Sequence, residues 1–251
     1  MEPGIVPGLG LLIVGIVSGC INTVAGGGGL VAVPILLLAG FTPAQALATN
    51  KLQLLFGPLV AIGRLSHARL IDPPLAFRTA VFAFSGAMVG AFVVGRIQPG
   101  LLAKLVPYLL LAVTIYVLVQ RQHDEDRVPR LPASLFAVLI GTSLGFYDGF
   151  FGPGVGSLWI LCLTGLAGQT LTRAASNANI FDLVGTVSAL LVFAGSGQVI
   201  WSAGLAMGVG QLAGARIGAA IIIKDGARWI RPLLGLSTCG AALRLLYMQV
   251  T

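Results

Sequence analysis

Four ionisable side chains stand inside otherwise apolar stretches: Lys51 in A-T-N-K-L-Q, Asp148 in G-F-Y-D-G-F, Asp182 in N-I-F-D-L-V and Arg216 in A-G-A-R-I-G. A charge at such a position is costly in a membrane and marks a functional candidate. Lys51 follows Asn50, and an ammonium beside an amide suits neutralising a small anion. A carboxylate suits a different task. Ionised Asp148 would repel an anion, so it reads either as a group that takes up and releases a proton or as a partner for Lys51 or Arg216. Asp182 is a second candidate for proton coupling. Lys51 and Arg216 have a blander alternative, snorkelling to the membrane surface.

A second kind of chemistry lies in two glycine-rich breaks. Gly26, Gly27, Gly28 and Gly29 interrupt the first apolar region, with Asn22 before them and Pro34 after. Gly152 and Gly154 interrupt a second one, G-F-Y-D-G-F-F-G-P-G-V-G-S. A helix does not run smoothly through such patches, and in hydrocarbon the freed N–H and C=O groups need protein, water or a ligand. Short helices starting near Leu30 and Val155 would aim their N-termini into the protein. Such ends carry free donors and partial positive charge, which suits an anion. The competing reading is that the glycines only allow helices to pack closely. Asn22, Asn50, Asn177 and Asn179 could donate to the same anion or tie helices together.

These residues must be positioned by apolar elements. The chain of 251 residues is 57% hydrophobic and 9% charged, with a mean hydropathy of +0.96. Soluble domains carry about 25% charged residues. The composition therefore predicts an all-α polytopic membrane protein and excludes a soluble globule. Apolar runs fall at 8–25, 29–40, 44–63, 75–95 and 101–120, and again at 132–149, 154–168, 172–194, 198–222 and 229–247. In each half the second run is too short for the ~20 residues of a full span. The first two runs of each half therefore form a short Gly-broken pair or a re-entrant hairpin.

The halves repeat. Gly15, Gly19, Gly26 and Gly28 fall in register with Gly141, Gly145, Gly152 and Gly154, and Asn22 with Asp148. Ala48-Thr49-Asn50 matches Ala175-Ser176-Asn177, and Gly86 and Gly90-Ala91 match Gly210 and Gly214-Ala215. An ordered series of this length reads as an internal repeat. Residues 1–120 form the first repeat, 121–131 a cytoplasmic linker and 132–251 the second. An odd number of crossings per half makes the topology inverted. Arg64, Arg69, Arg78, Arg121, Arg127, Arg130, Arg173, Lys224, Arg228 and Arg231 then lie inside, against Arg96, Lys104 and Arg244 outside. That bias places both termini outside. Inverted repeats suggest alternating-access transport.

Other features read blandly. The net charge of +7 follows from the inside bias, so no nucleic-acid partner is implied. Cys20, Cys162 and Cys239 have no metal-ligand spacing, and no metal or cofactor is expected. His123 with Asp124, Glu125 and Asp126 reads as a solvated connector. The first segment lacks a basic leader and belongs to the repeat, so it is expected in the mature protein. Trp201 and Trp229 suit an aromatic belt near span ends, where Trp159 also lies.

The pattern G-x-x-x-G-x-x-N-x-x-x-G-G-G-G-L-x-x-x-P, then A-x-A-T-N and G-A-M-V-G-A, with a degenerate second copy, resembles the TauE/SafE family of sulfite and organosulfonate exporters, also called toluene-sulfonate uptake permeases. The resemblance covers nearly the whole chain. It implies a multi-pass inner-membrane carrier for sulfite, sulfoacetate or a related organosulfonate. By position it carries over Asn22, Gly26 to Gly29, Thr49, Asn50, Asp148, Gly152, Gly154, Ser176 and Asn177. The second copy departs from the first, with Pro153 and Val155 where the first has Gly27 and Gly29.

The combined expectation is a secondary active transporter, coupled to protons and working by alternating access. Asn22, Gly26 to Gly29, Thr49, Asn50, Lys51, Gly152, Gly154, Ser176 and Asn177 would bind substrate, and Asp148 and Asp182 would carry the proton. The expected partners are a small anion and the lipid bilayer, with a homodimer admitted as an assembly. An anion channel using the same helix ends is the main rival. An enzyme is not expected. Tyr147-Asp148 lacks the G-x-G-D partner of an aspartyl intramembrane protease, and His67 and His123 lie in loops, away from any buried serine.

Overall fold

The computed structural model describes residues 8–119 and 128–225. The expected segments appear as helices close to their predicted bounds: α1 Gly8–Ala25, α2 Gly28–Leu38, α3 Pro43–His67, α4 Pro73–Val94, α5 Pro99–Val119, α6 Ala133–Phe150, α7 Val155–Gly165, α8 Leu171–Ala194 and α9 Trp201–Asp225. The expected run at 229–247, with Trp229 and Cys239, lies outside the described residues, as does most of the 121–131 linker, His123 included.

Local chemistry sets the helix starts. Thr42 and Gln45 form a reciprocal cap ahead of Pro43, and Thr170 accepts from the Arg173 N–H at 3.4 Å. Asp72 accepts from the Leu75 N–H at 3.4 Å ahead of Pro73. In α3 the helix is irregular at Leu55, three residues before Pro58. Proline there removes a donor and crowds the carbonyl of Leu54. α6 contains one wide turn at Ala137–Gly141.

Six helices, α1, α3, α4, α6, α8 and α9, are long and apolar enough to cross a membrane. With these spans, the chain is a multi-pass membrane protein. α2 and α7 have 11 residues each, which at ~1.5 Å per residue reaches about half of the hydrocarbon core. Each half-length helix follows a full-length one across a glycine break.

The halves interlock. α1 of the first half packs along α9 of the second, and α6 of the second packs along α4 of the first. Both interfaces are built on glycines. A Cβ at Gly15 or Gly19 would run into the backbone of Met207 or Gln211, and one at Gly210 or Gly214 into that of Leu12 or Ile16. Likewise Gly145 and Gly149 abut Ala83 and Ala87, while Gly86 and Gly90 abut Thr142 and Phe146. Small residues four apart let two helix backbones come together, where dispersion and close packing replace the missing hydrophobic drive. These glycines serve close helix packing. Trp159 is not a belt residue. It is fully buried, its ring 4.6 Å from that of Phe181, whereas Trp201 is exposed.

Candidate functional site

The two glycine breaks fold into elbows that touch. Gly26 (φ 68°) ends α1, and Gly152 (φ 92°) and Gly154 (φ 81°) lead into α7. These positive φ values are ones that L side chains rarely adopt. A Cβ at Gly26 would strike the backbone of Gly156 and Ser157. Ser157 Oγ donates to the Ala25 carbonyl at 2.8 Å, sealing the contact. Gly29 faces Pro153, and Gly154 faces Leu30. The starts of α2 and α7 therefore lie side by side, and the first N–H groups of a helix have no acceptor within it.

The charged cluster sits against these elbows. Lys51 Nζ forms an ion pair with Asp148 Oδ1, and each side chain is 1% exposed. The ammonium lies on the second elbow, since a Cβ at Gly152 would come within 2.8 Å of Nζ. Asp182 Oδ2 accepts from Asn22 Nδ2 at 2.6 Å. Asn22 Oδ1 in turn accepts from the Gly28 N–H at 3.2 Å and so caps α2. Ser18 Oγ donates to the Gly28 carbonyl at 3.1 Å and accepts from Gln53 Nε2 at 3.1 Å. Gln53 Nε2 also donates to Asn50 Oδ1 at 3.1 Å. One polar chain therefore runs from Asn50 through the first elbow to Asp182.

Three buried side-chain atoms in this cluster have no protein partner among the described residues: Asn50 Nδ2, a donor, and Asp148 Oδ2 and Gln53 Oε1, acceptors. The first lies at the start of α2, 3.1 Å from where a Gly29 Cβ would be. The second lies against Gly185 of α8. An unpaired buried polar group costs about 1–3 kcal/mol, so each is a place where a ligand or proton is favoured.

Not every expected residue reaches the elbows. Thr49 Oγ1 accepts from the Ile200 N–H at 3.1 Å, at the entry to α9. Asn177 Oδ1 accepts from the Asp72 N–H at 3.1 Å, at the entry to α4, and its Nδ2 donates to Gln169 Oε1 and the Arg173 carbonyl. Ser176 Oγ donates to the Thr172 carbonyl. Asn179 ties α8 to α1 through the Thr23 carbonyl at 3.1 Å. Arg216 is exposed, and its carbonyl accepts from Arg64 Nη1 at 2.9 Å.

Asn177 lies behind a cavity of about 470 Å³ lined by Asp72, Gln169, Arg173 and the 129–133 segment. Loops assigned to one side of the membrane meet there, with the Arg130 N–H donating to the Leu166 carbonyl at 2.9 Å. Ser18 and Ser157 join the site without having stood out in the sequence. Ser18 stands one helical turn before Asn22, and that spacing is the signal that could have found it.

The comparisons agree with this architecture. The sequence pattern of the family described as "Sulfite exporter TauE/SafE" matches residues 11–245. A probable membrane transporter protein, YfcA, of Escherichia coli (strain K12) is 36% identical over 238 residues, covering 94% of this chain and 88% of that protein. A probable membrane transporter protein of Haemophilus influenzae is 35% identical over 240 residues, covering 95% and 94%. A third, ORF9 of a Sinorhizobium species, is 36% identical over 241 residues, covering 94% and 91%. No solved structure matches the chain. A profile spanning nearly the whole length, with relatives of matching extent, settles the assignment: the chain belongs to the TauE/SafE family of membrane transporters.

Proposed function

We propose that the protein is a secondary active transporter, not an enzyme, that carries a small sulfur-containing anion across the inner membrane. The substrate class is sulfite, sulfoacetate or a related organosulfonate. The family's name supports the sulfur chemistry. The observation that carries the anion reading is the meeting of two helix starts beside a buried lysine and an unpartnered amide donor. An oxyanion held there would accept from Asn50 Nδ2 and from N–H groups at the two helix starts other than those of Gly28, Leu30 and Val155, which already donate to Asn22 Oδ1 and to the carbonyls of Gly27 and Gly152, with Lys51 supplying the charge. Thr49 and Asn177 act on this site by fixing the ends of neighbouring helices and Ser176 bonds back within its own helix, rather than by touching the anion.

Transport proceeds by alternating access of two inverted repeats, with both termini outside, and is coupled to protons. The interlocked packing of α1 on α9 and α6 on α4 supports the repeat relationship. Burial of the ion pair at 1% exposure supports an occluded site that opens in turn to each side, and disfavours the rival, an open anion channel. The test is thermal stabilisation of the purified protein by sulfite, sulfate, organosulfonates and carboxylates, followed by uptake into proteoliposomes. Stabilisation by sulfite or a sulfonate, with saturable uptake and counterflow, is expected. Single-channel currents would favour the channel, and stabilisation by carboxylates alone would overturn the substrate class.

A further inference from the structure

We infer that Lys51 has two mutually exclusive partners, Asp148 and the transported anion, and that a proton on Asp148 makes the exchange. The inference rests on the anion-carrier reading above and assigns the coupling to one of the two buried aspartates.

The exchange follows from the number of charges in the cluster. One ammonium, Lys51, serves two buried carboxylates, Asp148 and Asp182. Asp182 is held by Asn22 and so is tied to the first elbow. Among the described residues Asp148 has Lys51 as its one hydrogen-bond donor, on Oδ1, and no partner on Oδ2. An anion that takes Lys51 from an ionised Asp148 leaves that carboxylate buried and unpaired, and adds a negative charge to the cluster. Both are strongly unfavourable without water. If a proton from the aqueous phase binds Asp148 as the anion arrives, the net charge of the cluster is unchanged. The proton leaves Asp148 when the anion departs and Lys51 returns. One proton therefore travels with each monovalent anion, in the same direction, and no net charge moves.

The surroundings favour a proton over a metal cation. Asp148 Oδ2 is packed so closely on Gly185 that a Cβ would overlap it. Among the described residues no three carboxylate, imidazole or thiol side chains converge. The charged groups that face Asp148 are Lys51 from α3 and Asp182 from α8. On its own helix, Tyr147 is engaged by the Pro153 carbonyl at 2.8 Å. α4, packed along α6, has Arg78 near its start, where it is exposed, and presents glycine and alanine to α6. Cys162 of α7 is partly exposed.

The experiment uses the purified full-length protein and methanesulfonate, a monoanion across the working pH range, so that any proton taken up is bound by the protein. Binding is followed by calorimetry in buffers of different ionisation enthalpy. We expect about one proton taken up per anion bound, and affinity falling about tenfold for each unit rise in pH once Asp148 is ionised in the free protein. In Asp148→Asn that slope disappears. The control Gly63→Ala, at an exposed position with nothing near it, keeps the wild-type slope. Binding without proton uptake, a slope that survives in Asp148→Asn, or dependence on sodium instead of pH would each overturn the exchange while leaving the anion carrier standing. Should Asp148→Asn fail to fold, the proton counts of the wild type and of Asp182→Asn decide: about one proton in each is expected, and loss of uptake in Asp182→Asn would overturn the assignment to Asp148. Failure of the wild type to bind methanesulfonate, sulfite or sulfoacetate removes the substrate reading and the exchange together.

Discussion

Lys51 and Asp148, 97 positions apart in the chain, form an ion pair sealed from solvent between α3 and α6. It joins the N-terminal half of the chain to the C-terminal half beside the two touching glycine elbows. A buried pair of this kind is weak evidence for stability, because desolvation offsets much of the attraction. Its presence at an otherwise apolar depth is better explained by use.

The pair makes a first prediction. Removing one partner leaves a buried charge uncompensated, at a cost of about 3–5 kcal/mol. Lys51→Gln should therefore lower the unfolding midpoint sharply, and Lys51→Gln combined with Asp148→Asn should recover most of the loss. Thermal unfolding of the wild type, Lys51→Gln, Asp148→Asn and the double variant in one detergent measures the coupling. Additive losses would show that the two side chains do not share their energy.

The elbow contact makes a second. Gly26→Ala places a Cβ in the backbone of Gly156 at a positive φ, and overpacking of this kind costs about 1–3 kcal/mol. Gly63→Ala meets nothing within 4 Å and should be neutral or stabilising by up to about 1 kcal/mol. Equal midpoints for the two variants would contradict the contact.

Asn22 gives a third. Its amide serves the Gly28 N–H and the Asp182 carboxylate at once. Asn22→Ala should cost about 1–3 kcal/mol through the groups it leaves unpaired, and should weaken anion binding because α2 loses its cap. A variant as stable as wild type, with unchanged affinity, would remove Asn22 from the site.

The membrane sides give a fourth. In a chain with Cys20, Cys162 and Cys239 replaced by alanine, new cysteines at Gln98 and Ser196 should react with an impermeant thiol reagent added to intact cells. Cysteines at Ser66 and Val128 should react only after permeabilisation. The opposite pattern would reverse the orientation, and a pattern without alternation would break the inverted repeat.

Much of this architecture is legible in the amino-acid sequence. Apolar run length places the helices, because hydrocarbon forces each segment to satisfy its own backbone, while the Thr42, Asp72 and Thr170 caps that set their starts emerge only in the structure. Lys51, Asp148 and Asp182 are legible as buried charges for the same reason. Which carboxylate Lys51 chooses is not, since pairing across 97 positions depends on how the halves dock. The repeat glycines are legible as a set but not by role. Gly15, Gly19, Gly86 and Gly90 pack helices, whereas Gly26 and Gly152 turn the chain, and a glycine's spacing alone does not separate the two. Thr49 and Asn177 look like ligand donors in their motifs. Their acceptor oxygens instead take the N–H groups of Ile200 and Asp72. For Thr49 and Asn177 alike, that pairing requires the other half of the chain to be in place.

The most direct measurement is a structure of the protein with sulfite or methanesulfonate bound. The anion should lie between the starts of α2 and α7, within hydrogen-bonding distance of Asn50 Nδ2 and Lys51 Nζ, with Lys51 released from Asp148. An anion bound elsewhere, with the Lys51–Asp148 pair intact, would contradict it.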